Sequence, residues 1–185
     1  MDLQYKEGIN NGRIGGVKRT DLALRLLALV LTLTAAVVLG VNKQTTTVAI
    51  TLSPSLPPVK LPVTAKWHYM SAFVYFVIVN AVACAYTALS LVLTLATKGG
   101  KKNVSSMVVI FDLLMVVLLF SAIGATGAVG LIGYEGNSHV EWQKVCHVLD
   151  KFCHRVMTAM GLSFIGSVAY LLLIVFAVIN AYKRL

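Results

Sequence analysis

Charge is scarce in this chain: of 185 residues only 12% are charged and seven are acidic, against 58% that are hydrophobic. A soluble domain of this size must present a polar exterior to water, so this balance excludes an ordinary soluble fold. Recognisable chemistry is lacking too. There is no nucleophile elbow, phosphate loop, zincin motif or dinucleotide fingerprint. Gly127 and Gly130 offer a glycine spacing, but inside an apolar run where no phosphate goes. Neither end carries a lipidation motif; the chain finishes Tyr182-Lys183-Arg184-Leu185. No catalytic residue, metal or cofactor is expected.

What the chain does have is four long apolar blocks, at Leu22–Val41, Ser71–Ala96, Ser106–Ile132 and Met157–Ala181. About 20 helical residues cross the ~30 Å hydrocarbon core, so each block suffices. The blocks are continuous and lack period-2 alternation, which favours helices over a barrel. The first is too long for a signal-peptide core, holds Arg25 near its start and has no small-x-small cleavage site, so it reads as a retained helix. The expected fold is an all-α membrane protein, a four-transmembrane-helix bundle over 21–182. A disordered tail is expected at 1–20, outer loops at 42–70 and 133–156, a tight loop at 97–105, and a short tail at 183–185.

The net charge of +9 on a soluble protein suggests nucleic acid. Here the cations lie between the apolar blocks, so topology explains them and no nucleic-acid partner is expected. Lys6, Arg13, Lys18, Arg19, Lys98, Lys101, Lys102, Lys183 and Arg184 crowd one side. Lys43, Lys60, Lys66, Lys144, Lys151 and Arg155 are spread over much longer loops on the other. The denser side is cytoplasmic by the positive-inside rule, which puts both termini there. Trp67, Tyr69, Tyr134, Trp142 and Tyr182 flank the spans, where interfacial aromatics belong. The β-branched run Thr45–Thr51 and the Pro54-Ser55-Leu56-Pro57-Pro58 segment read as extended structure and turns.

Arg25 lies about one turn into the first block and Asp112 about two turns into the third. Both spans run outward from the cytoplasm, so at 1.5 Å per residue the two side chains sit roughly 6–10 Å inside the same face. Each alone costs about 2.5–3.5 kcal/mol by insertion scales. Equal depth and opposite sign make an ion pair the leading reading; a proton or ion path, or Arg25 snorkelling to headgroups, are the alternatives. In the second span Asn80, Cys84 and Ala88 follow one another at i, i+4, and in the third Gly124, Gly127, Ala128 and Gly130 are small. In lipid, small residues let backbones approach, so these faces are expected to pack against helices, within one chain or between chains. Asn80 is expected to form an interhelical hydrogen bond.

Cys146 and Cys153 fall in the second outer loop, within the short duplication Val145-Cys146-His147 and Phe152-Cys153-His154. In an oxidising compartment a disulfide between them leads. It requires a turn, because residues seven apart on an unbroken helix are about 10.5 Å apart. A bond between chains, free thiols, or a metal site with His139, His147 and His154 are the other readings, though the spacing fits no standard zinc pattern.

Four spans with an Arg in the first and an Asp in the third resemble the CASP-like family of plants, whose relatives are the Casparian strip membrane domain proteins and, more distantly, MARVEL-type proteins. The resemblance runs through Lys66-Trp67-His68-Tyr69, Asn80–Tyr86, Phe111-Asp112-Leu113-Leu114-Met115 and Gly133–Cys153, and it looks most like the family's first subgroup. It implies a plasma-membrane protein with both ends cytoplasmic. Its partners would be homo-oligomers, hetero-oligomers with related members, the lipid bilayer, and cell-wall or secreted proteins. The family's Arg and Asp positions carry over to Arg25 and Asp112, and its outer-loop cysteines to Cys146 and Cys153. The acidic Glu-Ser-Leu-Pro-like signature of true Casparian strip members is absent around Ser55-Leu56-Pro57. That departure favours a general scaffold over a root barrier. A solute channel using Asp112 and Asn80, and a redox or metal enzyme built on the outer cysteines and histidines, are the rivals.

Overall fold

The computed structural model describes residues 2–50, 59–96, 102–136, 144–146 and 148–182. Among these, the side chains of 2–18, 48–50, 59–61, 63, 96 and 102–106 are left undescribed. Helix α1 spans Asp2–Gly40, strands β1 and β2 span Lys43–Ile50 and Val59–Lys66, and helices α2, α3 and α4 span Ser71–Ala96, Lys102–Glu135 and Asp150–Tyr182. All four helices contain stretches long and apolar enough to cross a membrane. A single 3₁₀ turn, Trp67–Tyr69, joins β2 to α2.

Each helix buries a seam spaced alternately by three and four residues. In α1 the buried positions are Arg25, Ala28, Thr32, Ala35 and Leu39, and in α2 they are Phe73, Phe76, Asn80, Ala83, Thr87 and Ser90. In α3 they are Asp112, Met115, Leu119, Ala122 and Thr126, and in α4 Phe152, Val156, Ala159, Ser163, Gly166, Tyr170 and Leu173. A mean spacing of 3.5 is the heptad repeat, which keeps one stripe of each helix on the bundle axis and predicts gentle left-handed supercoiling. The helices pack in a ring in which α1 touches α2 and α4, and α3 touches α2 and α4. That leaves α1–α3 and α2–α4 as the two diagonals. Large apolar side chains such as Leu33, Val37, Leu89, Val117, Leu131 and Ile165 face outward, which suits lipid and not water.

Four helix boundaries differ from the sequence reading. α1 begins at Asp2, so over residues 2–20 of the stretch expected to be a disordered tail the backbone is helical. Once a span has nucleated, each further residue adds a hydrogen bond at little cost, and no proline interrupts the chain before Pro54. α4 begins at Asp150, seven residues ahead of the apolar block, and α3 overruns its block at both ends. The expected extended structure after α1 is an antiparallel hairpin pairing Lys43 with Lys66 through Ile50 with Val59. Of the loop placed at 97–105, residues 102–105 belong to α3; its residues 97–101 and the tail at 183–185, along with Trp142, His139 and His147, lie outside the described residues.

The hairpin is pinned to the start of α4. Gln44 Oε1 accepts the Phe152 amide at 2.6 Å, satisfying one of the orphan donors at that helix end, and Asn42 Nδ2 donates to the Phe152 carbonyl at 3.1 Å. α3 ends at Glu135 and is followed by Gly136, whose φ of 74° is the left-handed conformation that glycine adopts without a Cβ penalty. Cys146 and Cys153 are disulfide-bonded with α-carbons 5.7 Å apart. The turn that this bond requires lies just ahead of α4, where the Val148 and Leu149 amides both donate to the Val145 carbonyl.

Candidate functional site

The buried seams are not purely apolar: each helix contributes polar side chains at the bundle axis, and lipid offers none of them a partner. At the end where α1 enters the membrane, Arg25 and Asp112 meet across the α1–α3 diagonal. Arg25 Nη2 is 3.2 Å from Asp112 Oδ2 and Nη1 is 3.5 Å from Oδ1, a two-pronged contact of planar guanidinium with carboxylate. The residues are 4% and 1% exposed, so the pair is sealed inside protein. Three further groups complete it. Arg25 Nη1 donates to Ser90 Oγ at 3.0 Å, and Arg25 Nε lies 3.3 Å from Asp21 Oδ2 one turn earlier. Tyr86 donates to Asp112 Oδ1 at 2.7 Å and approaches the Val108 carbonyl at 3.1 Å. One cation and two carboxylates from α1 and α3, with two hydroxyls from α2, thereby satisfy one another in a single layer.

The other diagonal is closed in the same way, one and two turns further along α2. Tyr170 of α4 and Thr87 of α2 share a hydrogen bond, and both hydroxyls lie within bonding distance of the Ala83 carbonyl. Then Ser163 donates to Asn80 Oδ1 at 2.9 Å while Asn80 Nδ2 donates to the Phe76 carbonyl. Polar contacts join both diagonals, and Arg25–Ser90 and Tyr86–Asp112 tie neighbouring helices as well. A channel through Asp112 and Asn80 needs both to border a polar path, yet both are fully enclosed by protein partners. A thiolate centre at Cys146 and Cys153 needs free thiols, and here the two are bonded to each other.

The small residues named from the sequence divide. Gly127 approaches α4, where an added Cβ meets the Met160 methyl at 3.1 Å, and Gly130 is partly buried with open space around it. Gly124 and Ala128 are exposed. In α2 Asn80 is buried, Cys84 half-buried and Ala88 exposed, so the Asn80–Cys84–Ala88 line runs from the bundle axis to the outward face. Steps of four overshoot the 3.5-residue repeat and carry the stripe off the axis, while Ala83, Thr87 and Ser90 stay on it. Tyr86, Ser90, Thr87 and Tyr170 were not singled out from the sequence. The signal available was the heptad register: counted from Asn80 it passes through Thr87 and Ser90, and from Ser163 through Tyr170.

A family model for the Casparian strip membrane protein domain matches residues 15–169. CASP-like protein 1E2 of Vitis vinifera is 55% identical over 170 residues, covering 92% of this chain and 87% of its own length. CASP-like protein 1E1 of Glycine max is 53% identical over 164 residues (89% and 87%), and CASP-like protein 1E1 of Arabidopsis thaliana 51% over 162 (87% and 85%). No solved structure matches significantly.

Proposed function

This chain belongs to the Casparian strip membrane protein domain family, and from that footing we propose that it is a non-enzymatic scaffold of the plasma membrane, with both termini cytoplasmic, whose copies assemble side by side. Its partners are further copies and related family members, and its outer loops contact wall or secreted proteins. The observation that carries this reading is the division of labour between seams. The axial seams spend their polar groups on locking one chain into a closed bundle. The outward faces of α2 and α3 repeat the same spacing with small residues at mid-membrane.

On α2 the exposed run is Ile78, Ala81, Ala85, Ala88 and Val92; on α3 it is Leu114, Val117, Ser121, Gly124, Ala128 and Leu131. A heptad stripe with a small centre lets a second helix approach closely, and van der Waals packing of that kind drives association in lipid. Within a single chain nothing lies near Gly124 to use the space its missing side chain leaves. Counting photobleaching steps of a tagged chain in plant plasma membrane, together with its lateral mobility, tests the proposal. Multiple steps per spot and slow diffusion are expected; single steps and free diffusion overturn it.

A further inference from the structure

At the end of the bundle remote from the ion pair, a cavity of about 310 Å³ opens where α1 gives way to β1 and β2 returns to α2. Its lining includes Asn42, Lys43, Lys66, Trp67 and His68, and no carboxylate among the described residues. Lys43 and Lys66 are directly opposite each other in the hairpin register, so both side chains leave the same face of the ribbon. Like charges in that arrangement repel. The carboxyl end of α1 offsets about half a unit of charge, which accounts for one lysine in part and not for two. Neither lysine forms an ion pair among the described residues; Lys66 Nζ instead lies 5.7 Å from the centre of the Tyr69 ring. Asn42 lines the same cavity. It is 0% exposed, its nitrogen is committed to the Phe152 carbonyl, and its Oδ1 has no hydrogen-bond partner among the described residues.

We propose that this cavity binds the headgroup of an anionic phospholipid from the leaflet on the hairpin side, the phosphate held between Lys43 and Lys66. Position selects the lipid over a free anion. The cavity adjoins the end of a membrane span, and the neighbouring Trp67 and Tyr69 are residues that settle at the headgroup level. The lysine pair is in this reading a binding device whose repulsion the ligand relieves.

The test uses the full-length chain in phosphatidylcholine nanodiscs titrated with phosphatidylglycerol, with retained lipid counted by native mass spectrometry. The wild-type chain is expected to retain phosphatidylglycerol selectively. K43Q/K66Q should lose that retention roughly thirtyfold, the effect of two interfacial cations. K144Q/K151Q, which removes the same charge from the same membrane side, should keep it. Removing like charges should leave melting of K43Q/K66Q in phosphatidylcholine no lower than wild type, so that lost retention is not lost folding. Glycerol 3-phosphate should compete poorly. Equal retention in both double variants, or competition by glycerol 3-phosphate as strong as by the lipid, overturns the proposal.

Discussion

Removing one partner of the Arg25–Asp112 contact strands the other inside protein, whereas removing both leaves an apolar site that the bundle can close. Arg25→Met and Asp112→Leu should therefore each destabilise the chain by about 3–5 kcal/mol, with the double variant costing less than either. The single costs should differ. Without Asp112, Arg25 keeps Asp21 and Ser90; without Arg25, Asp112 keeps only Tyr86, so Arg25→Met is the worse change. Unfolding in mixed detergent micelles measures all three, and strict additivity contradicts the pairing. Tyr86→Phe should cost about 1.5–3 kcal/mol in the same assay, the range for a hydrogen bond to a charged group. At this scale the sequence made the charged pair visible, because two ionisable side chains at one depth in lipid leave few alternatives. Tyr86 and Ser90 were not visible: a hydroxyl is tolerable in many places on a membrane helix, and only the register shows which ones face the axis.

The elements were legible where composition alone decides them. α2 begins and ends with its apolar block, because Ser71 and Ala96 mark where polar chain takes over. α1, α3 and α4 run past their blocks, since helical hydrogen bonding does not stop at the membrane surface. The disulfide was one reading among several until the turn before α4 was placed. C146S/C153S should lower stability by about 2–2.5 kcal/mol, as expected for a short closed loop, and chemical reduction of the native chain should reproduce that shift in melting. The α1–α4 contact was not legible. At Gly166 an added Cβ lies 3.4 Å from the Thr32 methyl and 3.6 Å from Leu31 Cβ, so the two backbones run close. Gly166→Leu should destabilise the monomer by about 1–3 kcal/mol through overpacking. Gly124→Leu, which meets nothing within 4 Å, should leave monomer stability near wild type.

For the molecule as a whole, four spans were evident from the blocks, but their order around the ring was not. Which polar residues can meet depends on which helices are diagonal, and Asn80 with Ser163 or Thr87 with Tyr170 become partners only once the ring is closed. The same closure sorts the small residues: those near the axis serve the chain itself and those opposite are left for assembly. Lipid-facing stripes and chain-to-chain stripes look alike in one sequence. Cysteine crosslinking in native membranes separates them most directly, in a chain where Cys84→Ser removes the one free cysteine among the described residues. The account predicts that Gly124→Cys and Ala85→Cys, on the outward stripes, give dimers on mild oxidation while Ala122→Cys, on the axial seam, does not. Equal crosslinking at all three positions, or none at the outward two, contradicts it.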